Sequence, residues 1–398
     1  MQKYLFHQFF GRITSVPFRV NFWDGTTEMY GEGTPRFTLT FHKQIPFTSF
    51  VKQPSVAFGE AYMDQSIELE GEIEELIRAA TSNRGMIWTE KLVRLPKRSG
   101  RKQQENVQHH YDVGNDFYSL WLDETMSYSC AYFKTAEDTL EQAQLQKIDH
   151  VLKKLQLKEG ETLLDIGSGW GWLIIRAAQQ YGVRALGITL SEEQYKKTKE
   201  RIDELGLTGQ VEVELMNYQD LPKTGRTFDK IASVGMFEHV GQSHYPDFMK
   251  AVQSLLKEGG LMLLHTITHM KEEPGDPWIE KYIFPGGYIP ALREVMHLLP
   301  EYGMHTLDVE SLRMHYAMTL DRWAERFDQN EEKVRAMYDE RFVRMWRLYL
   351  RSSAAFFRLG GLAIHQILFS KGVNNDLPLT RKYQYTDEKT DIQPESIH

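Results

Sequence analysis

Leu163-Leu164-Asp165-Ile166-Gly167-Ser168-Gly169-Trp170-Gly171-Trp172 reads as an apolar strand running into alternate glycines, and the helix-forming run Leu173 to Gln180 follows it. The order is strand, tight turn, helix N-terminus. Glycine is needed where the backbone takes positive φ or where a ligand must touch the main chain. The helix start adds unsatisfied N–H groups and the positive end of a dipole. A dinucleotide fingerprint reads GxGxxG; Gly167 and Gly169 meet its first two positions, but Trp172 stands at the third, where the motif needs close helix–strand packing. This argues against NAD or FAD.

The glycines match GxGxG instead, with the acid Asp165 closing the strand, a pattern that resembles motif I of the S-adenosylmethionine-dependent methyltransferases. Downstream, strands are expected at Arg184 to Thr189, Val211 to Met216, Lys230 to Val234 and Leu261 to Thr266, with a helix starting at Ser191. Strands alternating with helices imply a parallel sheet covered on both faces, with ligands beyond the carboxyl ends of the strands. The fourth strand opens into Gly235-Met236-Phe237-Glu238-His239-Val240-Gly241. Further on, Pro285 to Pro290 makes a loop, and a long helix is expected to carry Tyr338, Phe342, Trp346 and Tyr349 as a stripe that suits a core better than a ligand box. Thr306 to Leu312 and Leu362 to Phe369 are the last two strands, the final one expected antiparallel at the far edge.

Upstream, a helix over Thr139 to Leu155 delivers the chain to the first strand of this sheet. Before it, Val107 to Tyr118 and Thr125 to Phe133 mix Asn, Asp, Gly and Ser with aromatics, which points to a structured loop over a site. The basic run Pro96-Lys97-Arg98-Ser99-Gly100-Arg101-Lys102 reads either as a solvated linker or as a patch for phospholipid headgroups. Ahead of it, Val56 to Tyr62, Ile67 to Gly71 and a helix from Glu72 join short strands between Phe18 and Phe41, expected antiparallel, in a small α+β module. A helix within residues 1–20 carries Tyr4, Phe6, Phe9 and Phe10 and either docks on that module or meets lipid. The organisation expected is an N-terminal lipid-docking domain over 1–95, a basic linker over 96–106 and a catalytic domain over 107–398.

Bulk properties narrow the function classes. A chain of 398 residues with 41% hydrophobic content has ample core and room for more than one domain. With a formal net charge of -8 there is no global basic field, so nucleic acid is not an expected partner. The single cysteine, Cys130, excludes an intrachain disulfide framework and fits a reducing cytoplasm. Met1 to Val20 lacks the apolar core of a signal peptide, and no run of about 18 apolar residues occurs, so neither export nor a spanning helix is expected. No metal is expected.

Several separated stretches together resemble one family. They are Asp165 to Gly171, then Gly187-Ile188-Thr189-Leu190-Ser191-Glu192-Glu193-Gln194, then Met236 to Gly241, with His110-Tyr111-Asp112, Tyr128-Ser129-Cys130 and Ile283-Phe284-Pro285-Gly286-Gly287. In this order they look like the cyclopropane fatty acid synthases and their mycolic acid relatives, in the bacterial phospholipid form that keeps an N-terminal module. The resemblance implies a Rossmann-like class I S-adenosylmethionine methyltransferase sheet with helical lid insertions, plus the small N-terminal α+β domain. It implies that Tyr128, Ser129, Asp165, Gly167, Gly169, Thr189, Leu190, Gln194, Tyr218 and Gln219 serve S-adenosylmethionine. Many methyltransferases hold the ribose with an acid after the second strand; Thr189-Leu190-Ser191 has none, and Gln194 is the expected substitute.

The resemblance also implies the reaction: methylene transfer to a cis double bond of an unsaturated phospholipid acyl chain. Because an alkene is a weak nucleophile, the methyl donor must be held in line with it in a dry pocket. Methyl transfer leaves a carbocation, and ring closure needs a base to take a proton from the new methyl. The family uses a bound bicarbonate, and Cys130, Glu238, His265, Ile267 and Tyr316 match the positions that hold it. Backbone N–H groups at Cys130 and Ile267, with the His265 and Tyr316 side chains, would donate to the anion while Glu238 accepts its O–H. Taken singly, each has an ordinary reading as a buried thiol, a core histidine or a packing tyrosine. Work on membrane lipid implies peripheral association at the inner face, with the N-terminal module, the linker cations and a homodimer as docking devices. The alternative enzyme is a methyltransferase acting on another lipid acceptor, by methyl branching or headgroup N-methylation.

Overall fold

A computed structural model describes residues 1–82 and 114–385. The basic run at 96–106 and His110-Tyr111-Asp112 lie outside the described residues. The chain forms two compact units, the first made of Met1–Pro96, Glu273–Pro285 and Tyr316–Leu362, the second of Lys97–Glu272, Gly286–His315 and Ala363–His398.

In the first unit, β1 (Phe18–Asn21), β2 (Thr27–Tyr30), β3 (Phe37–Phe41) and β4 (Ile67–Gly71) make a sheet in the order β2-β1-β3-β4. β1 and β2 form an antiparallel hairpin, but β3 runs parallel to β1, which departs from the all-antiparallel expectation. The chain crosses over β1 after the hairpin, so β3 pairs with the free edge of β1 rather than continuing the meander beside β2. Strand β3 is buried along almost its whole length and so takes an inner place. The helix Gln2–Phe10 docks on this unit, with the Phe6 ring 5.4 Å from Phe41 and 5.0 Å from Phe47. Helix Glu340–Arg358 buries Trp346 and Tyr349 in its own unit, as a core stripe should. Tyr338 lies outside that helix, in the break after Glu331–Met337. Arg344 of the same helix places its guanidinium 4.1 Å from the Tyr62 ring and donates through Nε to the Tyr62 carbonyl at 2.5 Å.

The second unit is built on β5 (Thr162–Ile166), β6 (Arg184–Thr189), β7 (Val211–Leu215), β8 (Phe228–Val234), β9 (Leu256–Thr268), β10 (Met304–Ser311) and β11 (Ala363–Lys371). Their order is β10-β11-β9-β8-β5-β6-β7. The pairs among β5 to β9 are parallel, while β11 is antiparallel to both β9 and β10. The last strand is therefore antiparallel as expected but not at the edge. It slots between β9 and β10. Burial explains the choice: β11 is covered along most of its length, whereas β10 alternates with exposed residues and can tolerate an open edge. Helix Leu140–Leu155 packs its Ile148, Val151, Leu152 and Leu155 on one face of the sheet with Leu163, Ala232, Leu261, Leu263 and Leu368. Its start is fixed by a capping box in which Thr139 and Gln142 satisfy each other's backbone N–H. Among the described residues no helix is long and apolar enough to cross a membrane.

Candidate functional site

The turn after β5 takes the shape its glycines were expected to permit. Gly167, Gly169 and Gly171 have φ of 84, 54 and 86°, and helix Trp172–Tyr181 starts directly behind them. A Cβ on Gly167 would sit 2.8 Å from the Met236 side chain, and one on Gly171 would sit 2.3 Å from Thr198 Cγ2. The N–H groups of Gly167 and Ser168 both donate to the Ile188 carbonyl at 3.0 Å, which ties the turn to β6.

Beyond the carboxyl ends of β5, β6 and β8 lies a cavity lined by this turn. Of the residues assigned to the cofactor, Tyr128, Ser129, Asp165, Gly167, Gly169, Thr189, Leu190, Gln194 and Tyr218 line it. Gln219 does not; its Nε2 donates to the Tyr218 hydroxyl at 3.4 Å. The segment from Thr125 to Ser129 forms one wall, so that stretch does pack over a site. Gln194 is braced from two sides: Thr189 Oγ1 donates to its Oε1 at 2.8 Å, and Ser191 caps its backbone N–H. With no acid in Thr189-Leu190-Ser191 at the end of β6, and neither Glu192 nor Glu193 lining the cavity, this buried amide is the polar group presented there.

Lys147, from helix Leu140–Leu155, also lines the cavity and lies outside the set expected from sequence. Its ammonium donates to Ser129 Oγ at 3.0 Å. Asp165 is buried at the same cavity with Oδ1 lacking a hydrogen-bond partner among the described residues. Burial lifts its carboxyl to about 7, and the Lys147 charge opposes that lift. Lys147 in turn is lowered by burial, with Asp123, Cys130 and Asp165 pulling the other way. A buried cation and a buried acid beside a glycine turn suit a ligand with a nucleoside body and a zwitterionic amino-acid end. Gln144, Lys147, His150 and Lys154 recur at helical spacing, and only the structure shows that all four are buried where an apolar face belongs.

A second cluster adjoins this cavity through β8 and β9. Val234 and Gly235 line the cavity, Val234 pairs with His265, and the Gly235 N–H donates to the His265 carbonyl at 2.9 Å. Glu238 sits in the short turn Phe237–His239 after β8, and its Oε1 accepts the Ile267 N–H at 2.6 Å. Its Oε2 and both ring nitrogens of His265 are buried without a hydrogen-bond partner among the described residues. Burial raises the Glu238 carboxyl, opposed by the Ile267 N–H, and holds His265 well below the usual imidazole range. His265 is thus a neutral ring, able to donate from one nitrogen and accept at the other. Burial lowers the adjoining His239, which lines the cavity, to about 4.

Cys130 is fully buried in the second unit, its thiol 3.2 Å from the Ala131 carbonyl and 3.9 Å from that of Leu312. Tyr316 falls in the first unit, where its ring meets Phe357 at 4.6 Å and Trp323 at 6.0 Å. The structure brings Glu238, His265 and Ile267 together. Among the described residues there is no group of three or more His, Cys, Asp or Glu placed to hold a metal ion.

Comparison with known proteins gives the family of the chain. Residues 98–367 match the family described as mycolic acid cyclopropane synthetase, and residues 5–91 match a domain of unknown function. A probable fatty acid methyltransferase of Pseudomonas putida is 40% identical over 383 residues, covering 93% of this chain and 96% of its own. The cyclopropane-fatty-acyl-phospholipid synthase of Escherichia coli is 38% identical over 346 residues, covering 84% and 88%. Among solved structures, a mycolic acid cyclopropane synthase complexed with SAH and CTAB is 36% identical with a TM-score of 0.64, covering 67% of this chain and 98% of its own. The glycine turn with its cofactor cavity, on a class I methyltransferase sheet, therefore has its family: this chain belongs to the mycolic acid cyclopropane synthetases, which are S-adenosylmethionine-dependent methyltransferases.

Proposed function

We propose that this enzyme is a cyclopropane-fatty-acyl-phospholipid synthase, which adds a methylene from S-adenosylmethionine to the cis double bond of an unsaturated acyl chain in membrane phospholipid. The observation that carries the proposal is the buried pair Glu238 and His265, joined by the Ile267 N–H, beside the cofactor cavity, with three of their side-chain atoms lacking a hydrogen-bond partner among the described residues. A methylated carbocation must lose a proton without meeting water, and a buried polar cluster able to hold a base serves that step.

The unpaired atoms fit a small hydrogen-bonding anion: neutral His265 has an N–H to give, and Glu238 has an oxygen to accept. When bound, S-adenosylmethionine supplies an electrophilic methyl and bicarbonate supplies a base for the cation that methyl transfer leaves. Glu238 would orient that base and strengthen it by taking its O–H. The chain's own work is positional: Ser129, Asp165 and Lys147 hold the amino-acid end, Gln194 takes the ribose, and the burial of Glu238 keeps bulk water from the cation.

The protein would meet its lipid at the inner face of the membrane without spanning it. The N-terminal module, and a homodimer where one forms, are the docking devices proposed.

The test is incubation with labelled S-adenosylmethionine and vesicles of unsaturated phospholipid, followed by fragmentation of the acyl chains. Label in a cyclopropane ring supports the proposal, and the absence of any labelled acyl product defeats it. A second reading, methylation that ends in a branched chain, draws on the fatty acid methyltransferase relative. Headgroup N-methylation would place the label on the headgroup instead, so the same fragmentation separates all three.

A further inference from the structure

Three residues on neighbouring strands stand in one line. On β11, Gln366 pairs with His265 of β9 on one side and with Glu310 of β10 on the other. Directly opposed residues point to the same face of a sheet, and strands lie about 4.8 Å apart, so the row runs about 10 Å from the Glu238–His265 cluster to the sheet edge. Helix Leu140–Leu155 covers this face, with Lys147, His150 and Lys154 one above another along it. At the edge, Glu310 Oε2 accepts from Lys154 Nζ at 2.5 Å and lies 2.7 Å from His150 Nε2.

The middle of the row is the anomaly. Gln366 is 1% exposed, and neither its amide oxygen nor its amide nitrogen has a hydrogen-bond partner among the described residues; both nitrogens of His265 are in the same condition. With one His265 nitrogen given to the anion, three buried orphan atoms remain in adjacent positions, and leaving them dry would be strongly unfavourable. They are the number and kind of partners that ordered water needs. At the far end, Glu310 keeps 21% of its side chain exposed, so the row opens to solvent there.

The proposed reaction releases one proton per turnover. The C–S bond breaks with its electron pair going to sulfur, and the alkene pair makes the first new C–C bond. A methyl C–H bond then gives its pair to close the ring, and the proton goes to the base. That proton must leave a pocket whose acceptor side has to stay dry. We infer that the seam His265–Gln366–Glu310, filled by ordered water beneath helix Leu140–Leu155 and anchored by His150, carries this proton to solvent away from the acyl chain. Gln366 acts here as a positioning residue, its amide holding water between an imidazole and a carboxylate. The inference rests on the proposed ring-forming reaction.

The test uses the full-length enzyme with unsaturated phospholipid vesicles. Gln366→Leu keeps bulk and removes both amide atoms. It is expected to lower kcat for the ring product at least about tenfold and to raise the solvent deuterium isotope effect on kcat, leaving the KM for S-adenosylmethionine and the affinity for S-adenosylhomocysteine unchanged. Gln366→Glu restores most of the rate. Should Gln366→Leu fail to fold, Glu310→Gln at the solvent end is read by the same measurements. A high-resolution crystal structure of the wild type gives a readout independent of turnover: ordered water within hydrogen-bond distance of the Gln366 amide is expected. A dry seam, or variants with unchanged kcat and isotope effect in a ring-forming enzyme, overturns the inference alone. A wild type that forms no ring overturns the function proposed above, and this route with it.

Discussion

Glu238 reaches from the turn after β8 to the main chain of β9, where its Oε1 takes the Ile267 N–H at 2.6 Å. The bond holds one carboxylate oxygen and leaves the other buried without a partner among the described residues, in a cluster with a His265 ring whose nitrogens are equally unengaged. One oxygen locks the side chain and the second remains for chemistry.

Glu238→Gln keeps an oxygen for Ile267 and removes the negative charge. Turnover is expected to fall by about 10²–10⁴-fold, the range for a group that serves a proton transfer. Affinity for S-adenosylhomocysteine, measured by calorimetry, stays as it was, because Glu238 does not line the cofactor cavity. His265→Ala should behave alike. A parallel loss of cofactor affinity would move both residues to the nucleotide.

Lys147→Met separates the two ends of the cofactor. If the ammonium serves the amino-acid end, S-adenosylhomocysteine binds about 10–100-fold more weakly, the worth of a hydrogen bond to a charged group. Binding of 5′-methylthioadenosine, which lacks that end, is unchanged. Equal losses for both ligands would mean that Lys147 acts through the fold, by way of its bond to Ser129.

Asp165 makes the ligand-free protein sensitive to pH in a stated direction. Its carboxyl sits at about 7 in the folded chain against the ordinary value of 3.8. Between those values the folded state holds more protons than the unfolded one, so this group's contribution to stability falls as pH rises and levels off above about 7. Asp165→Asn lacks that slope. The unfolding free energy of the wild type minus that of Asp165→Asn, measured in urea across this range, should decline with rising pH; a flat or rising difference contradicts the assignment.

Gly171→Ala should destabilise more than Gly169→Ala, although both glycines have positive φ. The left-handed conformation costs a side chain about 1–2 kcal/mol at either position. Only at 171 does the added Cβ also strike a neighbour, Thr198 Cγ2 at 2.3 Å, whereas at 169 nothing lies within 4 Å. Thermal melting of the two variants gives the order. Equal melting temperatures would mean that helix Glu192–Glu204, which carries Thr198, gives way freely.

The alternation of strands and helices and the glycine turn with Asp165 were legible in the chain itself, because each is local: a few consecutive residues set a turn or a strand; the motifs around Gln194 and Glu238 took their meaning from the family they resemble. The class of sheet followed from them. Strand neighbours did not. That β11 lies inside and β10 at the edge, and that β3 runs beside β1, depends on which strand buries more surface against which, a comparison no single segment contains. The same holds for the working site. Lys147 reads as one more lysine on a charged helix until the sheet covers it, and Gln366 as a polar residue in an apolar strand until β11 places it between His265 and Glu310. Spacing along the chain identified the residues that bend the backbone; only the tertiary structure decided which polar atoms were buried together, because burial and pairing are properties of distant segments brought face to face.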